Sequence, residues 1–181
     1  MPPKITIIMP FLNEGYEPVS TVESIYATAD PSLFRIVAVN DGGVDVYRHA
    51  FRRFPEVEYV RHTHRMGVDG CRNEVGFAAD TPYIFIIDSH MRFRRDGWLQ
   101  RIVDRLDASD GRTVFCTRSV NLSVDNTDVE GTTTTGGGAN ILFDPARPVF
   151  MALRWRKNTP GEADLVDVPA VLGATYATTV E

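Results

Sequence analysis

Lysine, cysteine and long apolar runs are all scarce in this chain of 181 residues, and each shortage removes a class of protein. Cysteine occurs only at Cys71 and Cys116, far apart and outside any C-x-x-C pair. That excludes a disulfide framework and a zinc-ribbon site, and it sets the expectation of a reduced, cytoplasmic protein. No window approaches the roughly 18 apolar residues of a membrane span, and the apolar run near the start is too short for a signal peptide. An integral membrane segment is therefore not expected. Lysine appears only at Lys4 and Lys157, and 19 Lys plus Arg face 24 Asp plus Glu for a net charge of -5. A nucleic-acid binder would show a basic face, so no nucleic-acid partner is expected. No G-x-G-x-x-G follows the first strand, no G-x-x-x-x-G-K-[ST] occurs, and Gly136-Gly137-Gly138 is neither motif. His49, His62 and His64 lack a metalloprotease spacing, and His62-Thr63-His64 reads as a solvated loop pair. Ser119 and Ser123 lack the context of a nucleophile elbow.

What remains is ordinary globular material, 43% hydrophobic and 24% charged, enough for one domain. Apolar runs alternate with helical patterns over the first two thirds. Lys4 to Met9 reads as a buried strand stopped by Pro10. Glu17 to Ala29 reads as a helix, with Val19, Val22, Ile25 and Tyr26 at three- and four-residue spacing. Phe34 to Val39 and Val57 to Val60 read as strands, with a helix between them that runs to about Phe54. Gly67 to Ala79 reads as a helix, and Tyr83 to Ile87 as a strand buried on both faces. Asp96 is placed to cap a last helix through Trp98, Leu99, Ile102, Val103 and Leu106.

This order implies a mostly parallel sheet with helices on both faces, an α/β/α arrangement. From about residue 113 strand-like pieces are separated by turns: Thr113 to Val120, Ala139 to Phe143, Phe150 to Trp155 and Val168 to Ala177. The reading is one domain over 1–181, with a nucleotide-binding part at 1–112 and a β-rich part at 113–181.

Ligands of open parallel sheets bind beyond the carboxyl ends of the strands. There the first strand runs into Pro10-Phe11-Leu12-Asn13-Glu14, the second into Asn40-Asp41-Gly42-Gly43, and the fourth into Asp88-Ser89-His90. Each brings an acidic residue to one rim. If extended geometry persists past Ile87, Asp88 and His90 point to one side, a partial shell for an ion of the Mn²⁺ type that takes oxygen and nitrogen donors. The alternative is a turn in which Asp88 caps a loop and His90 is solvated. Asp41 is either a nucleotide contact or a turn carboxylate bonded to its own backbone.

Taken together these segments resemble the family 2 glycosyltransferases of the GT-A fold. Pro10 to Glu14 resembles that family's P-x-x-N-E. Val39 to Gly43 resembles V-D-D-G-S, with Asn40 and Gly43 replacing the outer residues, and Gly67 through Arg72-Asn73 resembles G-x-x-x-A-R-N. Asp88-Ser89-His90 stands where the D-x-D motif belongs. The D-x-H form, followed by Gly97-Trp98-Leu99, is most similar to the polypeptide N-acetylgalactosaminyltransferase branch. Val168-Pro169 leading to Gly173-Ala174 resembles the segment that approaches the donor sugar.

The resemblance implies a UDP-sugar donor, a glycan, peptide or small-molecule acceptor, and Mn²⁺ or Mg²⁺ as cofactor. Pro10, Phe11, Asn13, Glu14, Asp41, Arg72 and Asp88 would line the nucleotide site, with Asp41 reading the uracil. Asp88 and His90 would hold the metal, and Gly173 and Ala174 would face the sugar. Two departures accompany it. No histidine follows His90 to complete the D-x-H shell, and no acidic pair follows Ala174, since Glu162, Asp164 and Asp167 precede it. The chain thus reads as the donor-binding portion of a transferase with no general base identified. The competing readings are a sugar-nucleotide binding module without transfer activity and a nucleotidyltransferase.

Overall fold

The computed structural model describes residues 2–119, 137–143, 146, 151–156, 165–171 and 175–180. They form two compact units, one of Met1–Phe115 with Ala177–Glu181 and one of Cys116–Tyr176.

A six-stranded sheet is formed by β1 (Ile5–Phe11), β2 (Phe34–Asn40), β3 (Val57–Arg61), β4 (Tyr83–Ile87), β5 (Phe115–Cys116) and β8 (Thr175–Thr179), in the order β3-β2-β1-β4-β8-β5, and β1 to β4 lie wholly in the first unit. β1 pairs in parallel with both β2 and β4, and β2 in parallel with β3. All seven residues of β1 are buried, as a central parallel strand covered on both faces requires. The chain moves outward from β1 to β2 and β3, then returns to β4 on the other side of β1. That reversal marks the place where open α/β sheets leave a crevice at the strands' carboxyl ends.

Alternation sorts the core. Ile5, Ile7, Met9 and Phe11 of β1, with Tyr83, Phe85 and Ile87 of β4, join one cluster. Their partners come from α1 (Glu17–Thr28), α2 (Tyr47–Phe51) and α4 (Trp98–Asp107). On the opposite face α3 (Val68–Ala78) lies over the sheet, and a Cβ at Gly76 would rest on Ile84 and Ile8 at 3.9 and 4.0 Å. Helices therefore cover both faces, as the alternation in sequence implies. Each fully buried Ile, Leu or Phe of such a core contributes about 1.5–3 kcal/mol.

Boundaries differ from the sequence reading at β1, α2 and α4, and β8 spans Thr175–Thr179 where a strand over Val168 to Ala177 is expected. β1 continues through Pro10 to Phe11. Its last pair with β4 is Ile8↔Ile86, whereas β2 accompanies it to Phe11↔Asn40. Pro10 therefore falls where the ladder to β4 has ended, and its missing N–H costs no bond there. α2 is a short helix that stops at Phe51. The cap of α4 is Gly97, not Asp96: Gly97 has φ 67°, a left-handed turn that glycine adopts without strain, and no side chain caps the helix.

In the second unit β6 (Ala139–Phe143) and β7 (Met151–Trp155) form an antiparallel pair, and Ala139 makes a further bridge to Ala170. Among the described residues, the strand expected over Thr113 to Val120 is reduced to Phe115–Cys116. Gly173 and Ala174 lie outside the described residues, as do Glu162 and Asp164.

Candidate active site

The segments that leave β1, β2 and β4 meet in one cleft of about 190 Å³, lined by Pro10, Phe11, Leu12, Glu14, Asp41, Arg65, Val68, Asp88, Ser89 and His90. The three acidic residues placed on one rim by the sequence are thus neighbours in space. Asn13 and Arg72 are set back from the lining.

The first wall is a loop pinned by amides. Asn13 adopts φ 53° and its Oδ1 accepts the Val44 N–H at 2.9 Å, tying the loop after β1 to the loop after β2. Asn40 is fully buried; its Oδ1 accepts the Gly43 N–H, and its Nδ2 donates to Val44 O and Tyr59 Oη. A Cβ at Gly43 would come within 2.6 Å of both amide oxygens, so only glycine fits there.

Asp41 is 5% exposed. Its Oδ1 accepts the Met66 N–H at 2.7 Å and faces His62 Nδ1 at 3.1 Å, and its Oδ2 accepts the Gly67 N–H at 2.8 Å. Burial pushes its pKa up, but the bonds from Met66, His62 and Gly67, with one from Cys71, outweigh that and bring it to about 2. These partners occupy the acceptor positions of the carboxylate, so a base could be read by Asp41 only if one were released. Burial, then the bond to Asp41, pushes the Cys71 thiol up to about 12.

His62, expected in a solvated loop, is instead an inner residue with a side chain 10% exposed. Its Nε2 approaches Glu74 Oε2 at 2.8 Å without the alignment of a hydrogen bond. Asp41, His62 and Cys71 bring a carboxylate, an imidazole and a thiol within 4.8 Å of one another, a donor set able to hold a divalent ion. The β2–β3 register explains the meeting: Asn40 pairs with Arg61, so Asp41 and His62 follow side by side. Knowledge of that register would have exposed His62, but sequence spacing does not supply it.

The second wall comes from β4. The strand ends at Ile87 and the chain turns at Ser89 and His90, so the extended geometry considered for Asp88-Ser89-His90 does not persist. Glu14 bridges the turn instead, accepting from Ser89 Oγ at 2.6 Å and facing His90 Nδ1 at 2.9 Å. A carboxylate accepts only, so Nδ1 carries the proton, and in the neutral ring the lone pair lies on Nε2. The bond to His90 holds Glu14 below the usual carboxylate range, and the same bond raises His90. Asp88 is raised by burial, against the opposing pull of His90 and of Arg72, whose Nη2 lies 3.5 Å from Asp88 Oδ1.

A carboxylate and an imidazole beside an open cleft, with a guanidinium behind them, make an arrangement suited to a cation and a polyanion together. The sequence profile of glycosyl transferase family 2 matches residues 6–168. The chain belongs to that family. No curated protein matches the chain. Among solved structures, the family 2 chain is similar to the mannosyltransferase PcManGT from Pyrobaculum calidifontis in complex with GDP-Man and Mn²⁺. The TM-score is 0.57 and the identity 21%, over 67% of this chain and 36% of that one. It is also similar to TarS of S. aureus, with a TM-score of 0.53 and 15% identity over 75% of this chain and 41% of that one. The α/β fold with its mostly parallel sheet is thus the GT-A fold, and the chain spans well under half the length of either neighbour. Among the described residues no helix is long and apolar enough to cross a membrane.

Proposed function

We propose that the cleft binds the nucleotide diphosphate of a UDP-sugar and that the chain takes part in metal-dependent transfer of the sugar to an acceptor. The observation that carries this reading is the convergence of Glu14, Asp41, Asp88 and His90 on one cleft at the carboxyl ends of β1, β2 and β4 in a family 2 chain. Asp88 and His90 would hold Mn²⁺ or Mg²⁺: Mn²⁺ would take both the oxygen and the nitrogen donor, whereas Mg²⁺ would rest on the Asp88 carboxylate and on phosphate oxygens. Such an ion supplies Lewis-acid stabilisation of the departing diphosphate. Arg72, behind Asp88, adds positive charge on the phosphate side. Pro10 and Phe11 line the cleft, while Asn13 ties the loop after β1 to the loop after β2. Asp41 acts on the base through the backbone of Met66 and Gly67 that it holds, beside Arg65 at the cleft wall. The D-x-H form supports assignment to the N-acetylgalactosaminyltransferase-like branch and, with it, uracil as the base. A guanine nucleotide is the second reading, supported by the GDP-Man bound to the mannosyltransferase neighbour.

Calorimetry of UDP, GDP and ADP with and without Mn²⁺ tests both readings. UDP binding tightest, and more tightly with Mn²⁺, is the expected result, followed by release of UDP from UDP-sugars when an acceptor is present. GDP binding tightest overturns the uracil assignment, and nucleotide binding indifferent to Mn²⁺ overturns the metal role.

A further inference from the structure

Four polar side chains recur along α1 at spacings of four, three and four: Glu17, Thr21, Ser24 and Thr28. That spacing puts them in one line on one face of the helix. On a helix otherwise buried through Val19, Val22 and Ile25 this polar line requires partners: Ser24 and Thr28 donate to carbonyls of their own helix, Thr21 O and Ser24 O, and every other partner named below lies in the segment that follows β4. Glu17 Oε2 accepts from Arg92 Nη2 at 2.8 Å. Ser24 Oγ accepts the Phe93 N–H at 3.0 Å, and Thr28 Oγ1 accepts from Trp98 Nε1 at 3.0 Å. The tightest set belongs to Thr21, which is fully buried. Its Oγ1 lies 2.6 Å from Ser89 O and 2.9 Å from Met91 O, and it accepts the Met91 N–H at 3.0 Å.

One hydroxyl thus closes both ends of the turn that carries His90. The turn has no strand ladder to hold it, because β4 ends at Ile87. On its other side Glu14 engages the side chains of Ser89 and His90. The backbone of the turn is fixed by α1 and its side chains by the loop after β1. We propose that Thr21 is a positioning residue of the nucleotide site, fixing the Ser89–Met91 turn so that Asp88 and His90 present their donor atoms to one ion. This role rests on the assignment of Asp88 and His90 as metal ligands. Threonine serves because one Oγ1 both donates and accepts, so it satisfies a carbonyl and an N–H of the same turn.

The control is built into the fold. Thr6 is equally buried, and its hydroxyl bonds to that of Thr81 at 2.7 Å, at the amino end of the sheet away from the cleft. T21V and T6V each remove one buried hydroxyl at nearly constant volume, and T21S restores the hydroxyl at the first position. The experiment measures Mn²⁺ affinity in the presence of UDP by calorimetry, together with amide hydrogen exchange over residues 88–93. Outer partners of metal ligands are commonly worth about 10–100-fold in affinity. T21V is therefore expected to weaken Mn²⁺ at least about tenfold and to speed exchange over 88–93. T21S should recover most of both, and T6V should change neither. Wild-type Mn²⁺ affinity in T21V, or an equal loss in T6V, overturns the positioning role alone. Wild-type protein that binds no Mn²⁺ with UDP overturns the metal assignment and this role with it.

Discussion

His90 Nδ1 lies 2.9 Å from Glu14 Oε2, joining the loop after β1 to the turn after β4 across the mouth of the cleft. The resemblance of Pro10 to Glu14 to P-x-x-N-E implies a nucleotide contact for Glu14. Its contacts make it the orienting partner of His90. It fixes which ring nitrogen bears the proton and turns Nε2 outward. Glu14→Ala should weaken Mn²⁺ in the presence of UDP by about 10–100-fold, while UDP alone changes by less. Calorimetry of both titrations checks this, and an equal loss in the two would assign Glu14 to the nucleotide.

Asp41 yields a prediction about pH. Its pKa, about 2, lies below the ordinary 3.8, so it contributes stability that is present above the unfolded value and lost as the pH falls through about 2. Lowering a carboxyl pKa by one stabilises the folded, ionised form by about 1.4 kcal/mol, so the contribution near neutral pH is about 2 kcal/mol. Asp41→Asn should be less stable than the wild type at pH 7 by at least that amount, with the gap narrowing below pH 4. Urea unfolding at pH 7, 4 and 2.5 measures it, and a gap constant across that range would show that the ionised carboxylate is not the source.

The loop after β2 makes a sharper test of local chemistry. Asn40 stands where the family pattern has aspartate, and its Nδ2 donates to Val44 O and Tyr59 Oη. Aspartate cannot donate, so Asn40→Asp leaves Val44 O facing a charge and draws the Tyr59 hydroxyl away from Asp45, and should cost about 1–3 kcal/mol. Gly43→Ala drives a methyl into the Asn13 and Asn40 amide oxygens and should cost about 1–3 kcal/mol as well. Both residues belong to one network, so the double variant should lose less than the sum. Urea unfolding of the three variants gives the coupling, and strict additivity would separate the two effects.

What is legible in the sequence divides from what is not along physical lines. β1, β2 and β4 are legible because burial on both faces makes them continuous apolar runs, and α4 because burying one face, with Trp98, Leu99, Val103 and Leu106, imposes a helical period. The rim residues Glu14, Asp41 and Asp88 are legible because strand ends in a parallel sheet share one edge. Sequence does not supply pairing between segments far apart in the chain. His62 against Asp41 depends on the β2–β3 register, and Thr21 against Ser89 on how α1 docks over the turn. The turn at Ser89 and His90 escapes the sequence for a related reason: an extended reading carries β4 past Ile87, where its partner β1 no longer pairs.

Two donor sets are candidates for a cation, and their surroundings separate them. Asp41, His62 and Cys71 are drawn together, but the carboxylate is already engaged by Met66 and Gly67, and the thiol is held protonated with a pKa of about 12. A hard or borderline ion such as Mn²⁺ would have to displace those bonds and a proton from sulfur, a ligand it does not favour. Asp88 is a third exposed and His90 more than half, both on the cleft. Cys71→Ser should therefore leave the mutual tightening of Mn²⁺ and UDP within about twofold, while Asp88→Ala and His90→Ala each abolish it. Linkage makes the assay self-checking, since the factor by which UDP tightens Mn²⁺ must equal the factor by which Mn²⁺ tightens UDP. Loss of that coupling in Cys71→Ser, with the two cleft variants unaffected, would move the metal to the Asp41–His62–Cys71 set.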